Sequence, residues 1–144
     1  MKSTVKSMLR TTLAIGGSIT LLMSIAPVAT AATARNGICE DYEFCLYHGL
    51  NFSGSVSDFA ASSIANYGAT QPDCYEFRGT GTGQGECVKN NAQSARNRTH
   101  IYVVKVYYNS DYKGTDFAFN PGGETRDLGA LKKQNASQLV ELVS

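Results

Sequence analysis

Four cysteines are the residues of this sequence best able to do chemistry: Cys39, Cys45, Cys74 and Cys87. Such thiols could form disulfides, hold a metal ion or act as a nucleophile. A zinc site is disfavoured because there is no Cys-x2-Cys pair and the two histidines, His48 and His100, form no His-x3-His pair. In an exported chain, an even number of cysteines predicts disulfides, and four cysteines allow three connectivities. Proximity along the chain favours Cys39 with Cys45 and Cys74 with Cys87.

The first 31 residues have the features of a secretory signal peptide. Basic side chains occur at Lys2, Lys6 and Arg10, an apolar stretch runs over 13–25, and Ala29-Thr30-Ala31 supplies small residues for cleavage. We therefore expect residues 1–31 to be removed and residues 32–144 to form one secreted, extracellular domain. The apolar stretch is too short to predict a membrane span, so no membrane association is expected after cleavage.

The charge balance of the mature domain narrows the choice of partner. Three of the 13 basic residues and none of the 12 acidic ones lie in the leader, which leaves a net charge of −2. The longest basic run is Lys132-Lys133. Phosphate binding needs a concentrated basic face, so nucleic acid is disfavoured as a partner. We expect a monomer.

The common motifs of enzymatic catalysis are missing from the sequence. It contains no His-Glu-x-x-His, no Gly-x-Ser-x-Gly and no phosphate-binding Gly-x-x-x-x-Gly-Lys-Ser/Thr motif. Glu40, Asp41 and Glu43 form an acidic cluster that could supply the carboxylate pair of a glycosidase, but beside the first cysteine a solvated face is the favoured interpretation. The chain is therefore predicted not to be an enzyme and to have no catalytic residue.

Short aromatic and β-branched segments, separated by turn residues, predict an all-β fold. The predicted strands are Glu43 to Tyr47, Val56 to Phe59, Ile101 to Tyr108, Asp116 to Phe119, Thr125 to Leu128 and Gln138 to Val143, with Cys74 to Phe77 and Glu86 to Val88 as a hairpin around a glycine-rich loop. The segment from Ile101 to Tyr108 is predicted to be central and buried on both faces. Only Ala60 to Ala65 is predicted as a helical turn.

An internal repeat underlies these strands. Tyr47, Phe52 and Gly54 recur at the same spacing as Tyr107, Tyr112 and Gly114, and a serine follows each copy, Ser94 and Ser137. The physical interpretation is a folded hairpin in which glycine adopts a conformation closed to other residues, two aromatic rings pack over it, and the serine hydroxyl holds the fold. Two such units predict two Greek keys, over about 39–100 and 101–144. The spacing from glycine to serine is longer in the first copy than in the second, and the stretch around the Cys74 to Cys87 loop accounts for the extra length.

These repeats resemble the βγ-crystallin Greek-key motif. The strings Cys45-Leu46-Tyr47, 88–92 (Val-Lys-Asn-Asn-Ala) and 106–114 also resemble secreted actinomycete proteins of the metalloproteinase-inhibitor type of peptidase inhibitor family. The resemblance implies a disulfide-stabilised βγ-crystallin-like sandwich. It further implies that the chain blocks an extracellular protease as its partner, most often a metalloprotease of the thermolysin type.

Inhibition through a loop requires an exposed backbone segment that is held in place. Cys87 and Val88 form the candidate reactive bond, because thermolysin-like enzymes accept a branched apolar side chain after the cut and the disulfide restrains the residue before it. The alternative is that Val88 enters a core strand and that the glycines form an idle surface loop.

Two other functional classes stay open at this stage. Microbial βγ-crystallins carry a calcium signature that Asn90, Asn91 and Ser94 match in part, whereas Ala95 departs from it and the second copy has Lys133 where Asn or Asp is expected. One weak calcium site is therefore the only cofactor considered. A secreted antimicrobial or toxin-like protein is the other alternative, although no cationic amphipathic face supports it.

Overall fold

The computed structural model describes residues 33–144, so the signal peptide predicted over 1–31 lies outside the described residues. Two antiparallel sheets form the domain. The strands are β1 (Glu43–Tyr47), β2 (Val56–Ala60), β3 (Ser94–Asn97), β4 (Tyr102–Asn109), β5 (Lys113–Phe119), β6 (Glu124–Thr125) and β7 (Ser137–Leu142), with 3₁₀ turns at Leu50–Phe52 and Gly129–Leu131. The first sheet has the order β2-β1-β3-β6 and the second has the order β5-β4-β7.

The two halves of the chain exchange edge elements. Strand β6, from the second half, pairs with β3 at the edge of the first sheet. In return, Ile64 from the first half pairs with Gln138 on β7, through N–H to O bonds of 2.8 and 2.9 Å in the two directions. Each sheet is therefore completed by the other half, which joins the two repeats into one folding unit.

The folded hairpin predicted from the repeat has the same backbone in both copies. Gly54 and Gly114 have φ of +73° and +81°, a region that residues with a Cβ rarely adopt. The paired aromatic rings lie with centroids 5.6 Å apart in the first copy (Tyr47 and Phe52) and 6.1 Å apart in the second.

The two repeat serines hold these hairpins in the same way. The Ser94 hydroxyl accepts the Phe52 N–H at 3.0 Å and donates to the Gly49 carbonyl at 2.6 Å. The Ser137 hydroxyl accepts the Tyr112 N–H at 3.2 Å and donates to the Asn109 carbonyl at 2.7 Å. Both serines are buried, so each hydroxyl replaces water for two backbone groups that the turn leaves without a ladder partner.

The hydrophobic core lies between the sheets. It takes the inward-facing residues of both sheets and seven residues from outside the strands: Ile64, Tyr67, Phe77, Val88, Ala92, Leu128 and Leu131. The extra stretch of the first repeat therefore contributes side chains to the core as well as an exposed loop.

The structure corrects three local predictions. The segment from Ala60 to Ala65 is not a helical turn, because Ile64 is drawn into the edge of the second sheet. Strand β4 is central but not buried on both faces: Val104 and Val106 are fully buried, and the alternate residues are half-buried. Strand β3 was not predicted, because its sequence, Ser-Ala-Arg-Asn, has little intrinsic strand preference and is held by pairing on both sides.

The remaining boundaries differ by small amounts. Strand β6 covers only Glu124–Thr125, short of the predicted Thr125 to Leu128, because the chain turns into the second 3₁₀ element. The predicted hairpin around the glycines is present as a short antiparallel pairing: Glu76 and Cys87 form a bridge, the Phe77 N–H donates to the Glu86 carbonyl at 2.9 Å, and the Val88 N–H donates to the Tyr75 carbonyl at 2.7 Å. This pairing holds the base of the glycine-rich loop.

Alanine at Gly54 is expected to cost about 2–3 kcal/mol of unfolding free energy, against about 1 kcal/mol at Gly114. Both glycines have positive φ, but a Cβ on Gly54 would lie 2.9 Å from the backbone oxygen of Thr82, whereas on Gly114 it would meet the movable end of the Asn109 side chain. Gly122→Ala is the control, since its φ is +73° and nothing lies within 4 Å of the added Cβ. Urea unfolding measures all three, and equal losses would contradict the packing argument.

Candidate functional site

Two disulfides join the four described cysteines in pairs. Cys39 bonds to Cys45, with Cα atoms 5.9 Å apart, and Cys74 bonds to Cys87, with Cα atoms 5.7 Å apart. No described cysteine is left as a thiol. The pairing is the one that proximity favours, and it leaves no thiolate for a metal or a nucleophile within residues 33–144.

The glycine loop, residues 79–86, is exposed over most of its length and yet rigidly held. At its base, Phe77 and the 85–86 turn exchange backbone hydrogen bonds of 2.8 and 2.9 Å. At its tip, the Thr82 carbonyl accepts the Ser55 N–H at 2.9 Å, which attaches the loop to the start of β2. The Gln71 side chain donates to the Gly85 carbonyl at 2.9 Å. The loop is thus fixed at both ends and at its centre.

His48 explains why part of this loop must be glycine. Its imidazole packs edge-on against Phe77, with ring centroids 5.4 Å apart, and its Nε2 lies 3.1 Å from a carboxylate oxygen of Glu86. A Cβ on Gly83 would collide with the imidazole ring. His48 is therefore a packing and positioning residue under the loop.

The candidate reactive bond between Cys87 and Val88 is not exposed on the surface of the domain. Val88 is fully buried in the core. Its N–H donates to the Tyr75 carbonyl at 2.7 Å, and its carbonyl accepts the Asn135 side-chain amide at 2.9 Å. A protease cannot reach this bond in the folded domain, because the side chain is packed and both backbone groups are paired. The longest exposed stretch of the disulfide-closed segment is instead residues 80–86, and Tyr75 and Arg78 are exposed as well.

The residues of the calcium signature lie in one turn and the strand that follows it. Asn91 donates its side-chain amide to the Cys87 carbonyl at 2.9 Å, so that it braces the base of the glycine loop. The Ser94 hydroxyl is already hydrogen-bonded to the Phe52 N–H and the Gly49 carbonyl of the folded hairpin, and Asn90 is exposed. Within residues 33–144, no group of three or more His, Cys, Asp or Glu side chains is placed to hold a metal ion.

An N-terminal segment, residues 35–38, packs beside the glycine loop and was not identified from the sequence. The buried Asp58 carboxylate accepts the N–H groups of Asn36 and Gly37 at 2.8 and 2.7 Å. The Arg35 guanidinium donates to the Glu76 carbonyl at 2.7 Å and lies 4.7 Å from the centre of the Phe59 ring. Burial lowers the pKa of Arg35 from its ordinary value. These contacts join distant parts of the chain, so no local pattern could have revealed them.

The acidic cluster of Glu40, Asp41 and Glu43 was predicted to be a solvated face, but one of its members is buried. Glu43 is buried, and one of its carboxylate oxygens accepts the Glu40 N–H at 2.8 Å. The other oxygen has no hydrogen-bond partner among the described residues. Burial raises the pKa of Glu43. The carboxyl group closes the turn between Cys39 and Cys45, and Asp41 points instead to His100, at 3.0 Å on the surface.

Comparison with known proteins identifies the fold and the family. A structure from work on the evolution of the eye-lens βγ-crystallin domain fold matches with a TM-score of 0.54 at 12% identity, covering 81% of this chain and 96% of the other. A βγ-crystallin domain from Flavobacterium johnsoniae matches with a TM-score of 0.47 at 15% identity, covering 69% and 93%. A search among curated proteins found no match. Within the described residues, no helix is long and apolar enough to span a membrane.

The family follows from the sequence itself. The model of peptidase inhibitor family I36 matches residues 32–119, which include β1 to β5, both disulfides and the whole glycine loop. The all-β, βγ-crystallin-like fold predicted from the repeats and the resemblance of three sequence strings to peptidase inhibitors are both confirmed. The chain belongs to peptidase inhibitor family I36.

Proposed function

We propose that this protein is a secreted, non-enzymatic inhibitor of extracellular proteases of the thermolysin type, and that it binds them through the glycine loop. Membership of a peptidase inhibitor family supports the inhibitor role and a protease as the partner. The two disulfides support an oxidising, extracellular location. The choice of thermolysin-type enzymes rests on the resemblance of the sequence to metalloproteinase inhibitors.

The observation that carries the proposal is an exposed loop with a fixed conformation. A flexible loop loses conformational entropy when it enters a protease cleft, and this loss weakens binding. The glycine loop avoids much of that cost because the Cys74–Cys87 disulfide and the bonds of Phe77 and Ser55 already order it. Its glycines leave little side-chain bulk, so the backbone itself can approach the wall of a cleft.

Inhibition titration of the mature domain against secreted metalloproteases and serine proteases tests this function. Thr80→Arg places a long cation on the exposed loop and is expected to weaken inhibition by about tenfold or more. Thr115→Arg is the matched control, because Thr115 is also exposed and lies on β5 of the other sheet. Equal inhibition by the two variants would show that another surface binds the protease, and a wild-type domain that inhibits no enzyme of the panel would refute the function.

A further inference from the structure

The N-terminal segment is fixed to the domain although it forms no strand. The Asp58 carboxylate holds the N–H groups of Asn36 and Gly37, and the Ile38 N–H donates to the Asn36 side-chain oxygen at 2.8 Å. The following residue, Cys39, is held by its disulfide. The backbone is thus restrained on both sides of Ile38. Strand β1 begins only at Glu43, so the sheets themselves do not require this bracing.

Ile38 itself faces solvent. Its side chain is 60% exposed, whereas the apolar residues of the core are almost completely buried. A single exposed isoleucine is ordinary on a protein surface. An exposed isoleucine on a restrained backbone loses less conformational entropy when it enters an apolar pocket of a partner, because its backbone is already ordered.

The N-terminal segment and the glycine loop form one continuous surface. A Cβ on Gly37 would lie 2.7 Å from the Gly79 backbone nitrogen, so the two backbones are in direct contact. The Arg78 guanidinium adds a hydrogen bond of 3.0 Å to the Arg35 carbonyl. A protease bound over the glycine loop would therefore have Ile38 within the same contact region.

We infer that Ile38 is a specificity-determining residue of the inhibitory surface, and that its side chain fills the apolar pocket in which a thermolysin-type protease receives a branched substrate side chain. The inference rests on the proposed function and extends it to a second loop. Ile38 takes the role that the sequence analysis gave to Val88, which is buried. Like Val88, it is a branched apolar residue beside a disulfide, but its side chain is exposed. In such interfaces, a few anchors in well-packed pockets carry most of the binding energy.

Ile38→Ala and Ile101→Ala form a matched pair for the test. The two isoleucines are 60% and 54% exposed, so the same atoms are removed from similarly exposed positions. Ile38→Ala is expected to raise the inhibition constant against a thermolysin-type metalloprotease by about 10- to 100-fold, and Ile101→Ala by less than about twofold. Ile38→Leu should retain most of the inhibition, because it keeps the apolar volume. Thermal unfolding of each variant checks that the fold is unchanged.

The outcomes separate this inference from the proposed function. Full inhibition by Ile38→Ala, together with weakened inhibition by Thr80→Arg, would overturn the role of Ile38 and leave the glycine loop as the binding surface. Equal losses in Ile38→Ala and Ile101→Ala would also overturn it. A wild-type domain that inhibits no metalloprotease would overturn both proposals.

Discussion

Replacing Cys74 and Cys87 together by serine is expected to lower the free energy of unfolding by about 3 kcal/mol, and inhibition is expected to fall with it. The disulfide closes a loop with a sequence separation of 13, and its removal returns that freedom to the unfolded chain. It also loosens the base of the glycine loop, which would then be held by the bridge between Glu76 and Cys87 and by the backbone hydrogen bonds of Phe77. Both serines replace half-buried residues, so no polar group enters the core.

Two measurements separate stability from function in this variant. Denaturant unfolding gives the loss of stability, and limited proteolysis with an unrelated protease followed by mass analysis locates the first cuts. We expect cuts within residues 79–86 in the double variant and none in the wild type, because the loop opens before the rest of the domain. An intact loop, with unfolding free energy within about 0.5 kcal/mol of wild type, would show that the hydrogen bonds alone hold it.

The repeat explains why so much of the fold could be predicted from the sequence. The two copies have the same geometry. Gly54 and Gly114 both have positive φ, and the hydroxyls of Ser94 and Ser137 make equivalent hydrogen bonds, because each copy is a folded hairpin whose residues lie at a fixed spacing. Local steric and hydrogen-bonding rules are sufficient to recognise such a folded hairpin from its sequence. The resemblance to peptidase inhibitors depended on the strings 45–47, 88–92 and 106–114, which overlap these motifs only in part.

The candidate site was predicted less well because it depends on contacts between distant segments. Val88 is buried because its side chain packs in a core that both repeats form, and its carbonyl accepts the side-chain amide of Asn135 in the other repeat. The N-terminal segment is positioned by Asp58 on β2, and no periodicity or motif connects Asp58 with Gly37. The sequence could therefore indicate the disulfide-closed stretch as the region of interest, but not which part of it meets solvent.

Replacing Asn97 by alanine is expected to cost about 4 kcal/mol of unfolding free energy, the largest effect of a single substitution that we predict. Asn97 ends β3 and is buried between the sheets. Its side-chain amide donates to the carbonyls of Tyr102, Phe119 and Asn120 at 2.8, 3.0 and 3.1 Å. Its side-chain oxygen accepts both the N–H and the hydroxyl of Thr99, at 3.0 and 2.7 Å. Alanine would take the acceptor from the buried Thr99 N–H, would remove one donor from each of the three carbonyls, and would open a cavity.

The loss at Asn97 is expected to exceed that at an ordinary buried asparagine because the side chain joins three strands. It lies at the end of β3 in the first sheet and bonds to the start of β4 and the end of β5 in the second. Asn120→Ala is the control, since Asn120 is exposed and should stay within about 0.5 kcal/mol of wild type. Urea unfolding of both variants checks this. If Asn97→Ala cost no more than about 1 kcal/mol, water would have to replace the amide, and the side chain of Asn97 would not be what holds β3 to β4 and β5.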